Sequence, residues 1–82
     1  MNMSDVRTQV RQLVADLLQV PLDSLSEASG PDTVAAWDSL QHLNLVLVLE
    51  DAFSIQFEPD EIGELTSIAA ISALVAERRS ST

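Results

Sequence analysis

The chain has 82 residues and no cysteine, 46% of its residues are hydrophobic, and thirteen acids against four basic residues leave a formal charge of −9. That length holds one small domain, here residues 1–82, with a modest core, and the lack of cysteine excludes disulfides and thiolate metal sites. The acidity disfavours nucleic acid and anionic membranes as partners, because neutralising phosphates takes cations.

The distribution of charge says more than its total. There is no lysine, and the arginines are Arg7, Arg11, Arg78 and Arg79, near the two ends. Between residues 12 and 77 lie twelve acids and no Lys or Arg. A basic partner protein would be steered toward such a surface; the plainer reading is that acidity keeps the domain soluble. MNMSDVRTQV lacks the apolar stretch of a signal peptide, and the longest unbroken apolar run, Leu45 to Leu49, is too short for a bilayer. The expectation is a cytoplasmic monomer.

The first element is a helix over residues 4–19, with Val6, Val10, Leu13, Val14, Leu17 and Leu18 three and four apart. Ser4 reads as its N-cap, with Asp5 in the first turn, and Val20-Pro21 ends it. Residues 20–38 form a long connection broken by Pro21, Gly30 and Pro31, for which Leu22, Leu25 and Val34 are the candidate anchors. Asp38 caps a second helix over residues 39–53. Pro59, with Asp60 and Glu61 after it, opens a short helix. Thr66 or Ser67 caps the last, with Ile68, Ile71, Leu74 and Val75 on one face and Arg78 and Arg79 where the dipole favours cations. The expected fold is all-α: a small bundle of three longer helices and one short one.

Asp-Ser-Leu occurs twice, at residues 23–25 and 38–40. Gly30-Pro31 stops any helix soon after Ser24, so Ser24 reads as a loop residue. Ser39 instead opens the most hydrophobic helix, among the unpaired N–H groups of a first turn, where a phosphate ester is favoured. Plain capping needs no more than this. At about 100° per residue, Leu45, Leu49 and Phe53 make a core stripe with Val46 and Ala52 beside it. Leu40 and Leu47 fall away from that stripe, near Asn44 and Asp51, with Leu43 and Glu50 at one edge. An apolar strip rimmed by acids suits protein docking, unless the long connection covers it.

Asp38-Ser39-Leu40, followed by an aliphatic helix carrying Glu50, Asp51 and Phe53, then Ile55, Phe57, Asp60-Glu61 and Leu65-Thr66-Ser67-Ile68, resembles the acyl carrier protein family over essentially the whole chain. The resemblance implies a four-helix bundle of the acyl-carrier type. It implies that Ser39, with Asp38 beside it, accepts 4′-phosphopantetheine from coenzyme A through a separate Mg²⁺-dependent phosphopantetheinyl transferase, and that the arm's thiol tethers acyl groups as thioesters. It implies that helix 39–53 meets acyl-transferring or condensing enzymes, Glu50 and Asp51 facing basic patches and Leu40, Leu43, Asn44 and Leu47 lining the contact. Asn44 stands where many relatives have an acid, and Trp37 where fatty-acid carriers often have a small residue. Both departures look more like a stand-alone carrier of a specialised pathway, polyketide-like or another dedicated acyl route, than the housekeeping fatty-acid carrier, and a fatty-acid pathway stays as the other option. A peptidyl carrier would more usually have glycines before the serine. An unmodified acidic adaptor of the same fold is the alternative outside the family.

Trp37 reads first as a packing residue sealing the connection to the core, and second as a contact for the arm. His42 lies one turn after Ser39, but no G-x-S-x-G elbow or sheltered pocket supports a hydrolase; it reads as a surface or loop-packing histidine. Asp60, Glu61 and Glu64 lack EF-hand spacing, so no metal site is expected.

Overall fold

Among the described residues the chain winds into four helices, the three longer ones following its apolar spacing. The computed structural model describes residues 3–80, with the side chains of 5–79. The elements are α1 (Met3–Leu18), a 3₁₀ turn at Leu22–Ser24, α2 (Ser39–Phe53), α3 (Pro59–Ile62) and α4 (Ile68–Ser80), with no strand among the described residues. α1 is the hub and packs on both α2 and α4. Its buried row is Val6, Val10, Val14, Ala15 and Leu18; α2 contributes Leu45, Val46, Leu49 and Phe53, and α4 contributes Ile68, Ile71 and Val75. Each of these Val, Leu, Ile and Phe side chains contributes about 1.5–3 kcal/mol when fully removed from water, so these three helices carry most of the stability.

Two expectations are corrected. Met3 already lies in α1, so Ser4 is inside the first turn rather than ahead of it as a cap; its side chain lies outside the described residues. Ala52 is exposed, not part of the core stripe, because α1 meets α2 along the Leu45–Leu49–Phe53 row and stops short of it. α1 closes at Leu18, where Gln19 takes a left-handed φ of 59° and the Val20 N–H donates to the Ala15 carbonyl at 3.1 Å.

The long connection is anchored. Leu25 is buried, and Leu22 and Val34 are half-buried against the core. Its backbone also builds the start of α4. The Ile68 N–H donates to the Ser29 carbonyl and the Ala69 N–H to the Glu27 carbonyl, both at 2.9 Å. The Ala70 N–H donates to Ser67 Oγ at 3.1 Å, which makes Ser67 the cap rather than Thr66. Three donors that a helix start leaves unpaired are thereby satisfied. Gly30 crosses so close to the Thr66–Ser67 backbone that a Cβ there would sit 2.0 Å from the Thr66 carbonyl oxygen.

α3 is held differently. No residue in it is fully buried. The Glu58 N–H donates to Glu61 Oε1 at 2.7 Å, closing its first turn. Glu61 also pairs with Arg78 of α4, and the half-buried Ile62 rests on the core.

Candidate functional site

The start of α2 is set by Asp38. Its backbone is extended, its Oδ1 accepts the Gln41 N–H at 2.9 Å, and its carbonyl accepts the His42 N–H at 2.9 Å. The Ser39 and Leu40 N–H groups are left facing out of the helix end. Ser39 is the first residue of α2, its side chain is exposed, and its hydroxyl bonds no other described residue. Ser24 is also exposed, but its hydroxyl donates to the Pro21 carbonyl at 2.6 Å within the 3₁₀ turn. The two Asp-Ser-Leu copies therefore differ as their contexts suggested: one hydroxyl is engaged locally, the other faces solvent at a helix N-terminus.

An open pocket of about 650 Å³ adjoins Ser39. Trp37, Asp38, His42 and Leu43 line it on one side, Ile62 and Leu65 on the other. Trp37 is buried, with 2% of its surface exposed, which fits the packing reading. Its indole N–H donates to His42 Nδ1 at 2.9 Å, while His42 Nε2 lies 3.0 Å from the Ile62 carbonyl oxygen. Both ring nitrogens are thus occupied away from Ser39, and no Ser–His hydrolytic pair is made. Sequence spacing missed this arrangement, since its members come from three segments. Among the described residues, no group of three or more His, Asp or Glu is gathered closely enough to hold a metal ion.

The apolar strip on α2 is uncovered. Leu40, Leu43 and Leu47 are 68%, 53% and 64% exposed, so the long connection does not lie over them. Asp51 is exposed beside them, and the half-buried Asn44 donates its amide N–H to Gln41 Oε1 at 3.2 Å. Glu50 is half-buried, and its Oε2 accepts the Phe57 N–H at 2.9 Å. Its carboxylate thus helps hold the α2–α3 connection, a task the sequence pattern did not reveal.

The Phosphopantetheine attachment site family model matches residues 8–75, most of the chain. The chain belongs to that family. The match agrees with the resemblance to acyl carrier proteins, and a domain of this family is where 4′-phosphopantetheine is covalently attached. The protein is a phosphopantetheine-bearing carrier. Such domains typically carry rather than catalyse, and carriage implies encounters with a phosphopantetheinyl transferase and with acyl-handling enzymes. No helix among the described residues is long and apolar enough to cross a membrane.

Proposed function

We propose that residues 1–82 are a single acyl-carrier domain and that Ser39 is its attachment residue. The observation that carries this is the contrast between the two serines: Ser39 presents a solvent-facing hydroxyl at the head of α2, whereas the Ser24 hydroxyl is bonded to Pro21. The surroundings fit the group. Asp38 fixes where the helix begins, the outward N–H groups of the first turn favour a phosphodiester's negative charge, and the adjoining pocket offers room for an arm to lie. Once bound, the group supplies a thiol at the end of a flexible arm.

The chain's own residues then have two tasks. Ser39 provides the ester oxygen: its Oγ bonds the pantetheine-side phosphorus of coenzyme A, the pyrophosphate P–O bond breaks, adenosine 3′,5′-bisphosphate leaves, and the serine proton passes to a base of the transferase. Leu40, Leu43 and Leu47 provide an apolar docking ridge, with Asp51 as its charged flank and Asn44 and Glu50 at its margins. This ridge suits transferases and acyl-transferring or condensing enzymes whose docking patches are basic around an apolar centre. The Asn44 and Trp37 departures favour a specialised, polyketide-like route over a housekeeping fatty-acid carrier; on this reading the domain works as a cytoplasmic monomer.

The test is an intact mass after incubation with coenzyme A, Mg²⁺ and a broad-specificity phosphopantetheinyl transferase. The expected result is a gain of one phosphopantetheine, lost in Ser39→Ala and kept in Ser24→Ala. A gain that survives Ser39→Ala would refute the assignment. No gain at all would leave an unmodified adaptor as the better account.

A further inference from the structure

Trp37, His42 and Ile62 lie on the connection, on α2 and on α3, yet they form one hydrogen-bonded line beside Ser39. An indole N–H can only donate. His42 Nδ1, 2.9 Å from it, is therefore the bare, accepting nitrogen. The ring proton then sits on Nε2, which donates to the Ile62 carbonyl at 3.0 Å. Only the neutral Nε2–H tautomer satisfies both neighbours. A protonated imidazole carries N–H on both nitrogens, so Nδ1–H and the indole N–H would face each other donor to donor at a buried tryptophan.

All three residues line the pocket that adjoins Ser39. The Ile62 carbonyl belongs to the last residue of α3, the helix without a fully buried residue. Its link to His42 joins this end of α3 to the first turn of α2, and the Glu61–Arg78 pair joins α3 to α4. We propose that His42 is a positioning residue for the attachment site: as the Nε2–H tautomer it latches α3 to the head of α2 and sets the pocket wall beside Ser39, and protonation releases that latch. The proposal rests on Ser39 being the attachment residue. The charged groups around the ring are Asp32 and Asp38 of the connection, which line the same pocket. On α3, Asp60 is exposed and Glu61 is turned to Arg78 of α4. On α2, the Glu50 carboxylate is held by Phe57.

The test uses the full chain in two arms. In the first, nitrogen-15 NMR of the unloaded protein reads the His42 ring, and the emission of Trp37, the single tryptophan, is followed as the solution is acidified. The expected result is a bare Nδ1, a protonated Nε2, and an emission change in acid that is absent in His42→Gln. Glutamine keeps one acceptor and one donor, so it retains the link with no second ring nitrogen to protonate. In the second arm, transferase kinetics are measured on wild type, His42→Gln and His42→Leu. Losing the link should raise the KM for the carrier about fivefold in His42→Leu at unchanged kcat, with His42→Gln rescuing most of the loss.

A proton on Nδ1 of the neutral ring, a Trp37 emission indifferent to acid, or a His42→Leu KM equal to wild type would each overturn the proposal. If circular dichroism shows His42→Leu unfolded, Trp37→Phe takes its place: it removes the indole donor together with part of a buried ring that lines the pocket, should raise KM in the same direction, and an unchanged KM there overturns the proposal too. A wild type that takes up no phosphopantetheine overturns the carrier reading, and the positioning role with it. A wrong tautomer in a normally loaded protein overturns the latch alone.

Discussion

Ser54 holds a left-handed conformation, φ 55° and ψ 47°, just past α2, with its N–H donating to the Glu50 carbonyl. A side chain with a Cβ is strained there, by roughly 1–2 kcal/mol, and glycine is not. Ser54→Gly should therefore raise stability by up to about 1 kcal/mol, once glycine's larger entropy loss is subtracted; a urea midpoint that falls would contradict this. Gly30 shows the opposite constraint. An added methyl would overlap backbone, not a movable side chain, so Gly30→Ala should lower stability by about 1–3 kcal/mol in the same measurement. At this scale the sequence was legible where a residue's role depends on its near neighbours. Asp38 as a cap and Ser39 as the opening residue follow from an acid placed before an apolar run. The pattern alone places Glu50 at the surface, because its acceptor role depends on Phe57, seven residues on, across a turn whose path no periodicity reports.

Among the elements, α3 is the one secured chiefly by polar contacts. The carboxyl of Glu61 is held below its ordinary value, first by the Glu58 backbone N–H and next by the Arg78 guanidinium. Arg78 is correspondingly raised by its bond to Glu61. A carboxyl lowered in the folded state stabilises fully above its unfolded value, and loses that contribution as the pH falls through its folded value. Glu61→Gln can keep the turn-closing acceptor for Glu58 while removing the charge opposite Arg78. Thermal melting should separate wild type from Glu61→Gln most at neutral pH and less as carboxylates protonate; a gap independent of pH would rule out this link. The Pro-Asp-Glu run announced the helix, but its tie to Arg78 spans seventeen residues and became visible only in the folded chain. The exposed side of Ala52 was similarly hidden, since a wheel drawn on a helix apolar nearly all round does not say how wide the buried face is.

For the molecule as a whole, the basic residues lie on α1 and α4, away from the proposed attachment residue on α2. Arg7 pairs with Glu27 at 2.8 Å and Arg78 with Glu61, while Asp32, Asp38, Asp51 and Asp60 are exposed around α2 and α3. The formal charge exposed around α2 and α3 is consequently acidic, and it should steer basic partners over distances that salt shortens to about 10 Å at 0.1 M. Raising ionic strength should therefore raise the transferase KM for this carrier with little change in kcat. A KM indifferent to salt would assign docking to the Leu40–Leu43–Leu47 ridge alone.

The head of α4 is finished by carbonyls from Glu27 and Ser29, in the other half of the chain. That helix cannot complete its first turn until a distant strap has arrived, so its opening amides should exchange with solvent only when the entire fold comes apart. Fraying at that end should be opposed by topology rather than by local propensity, whereas α3, with no fully buried residue, must rely on its polar ties when cargo or an enzyme presses on the domain.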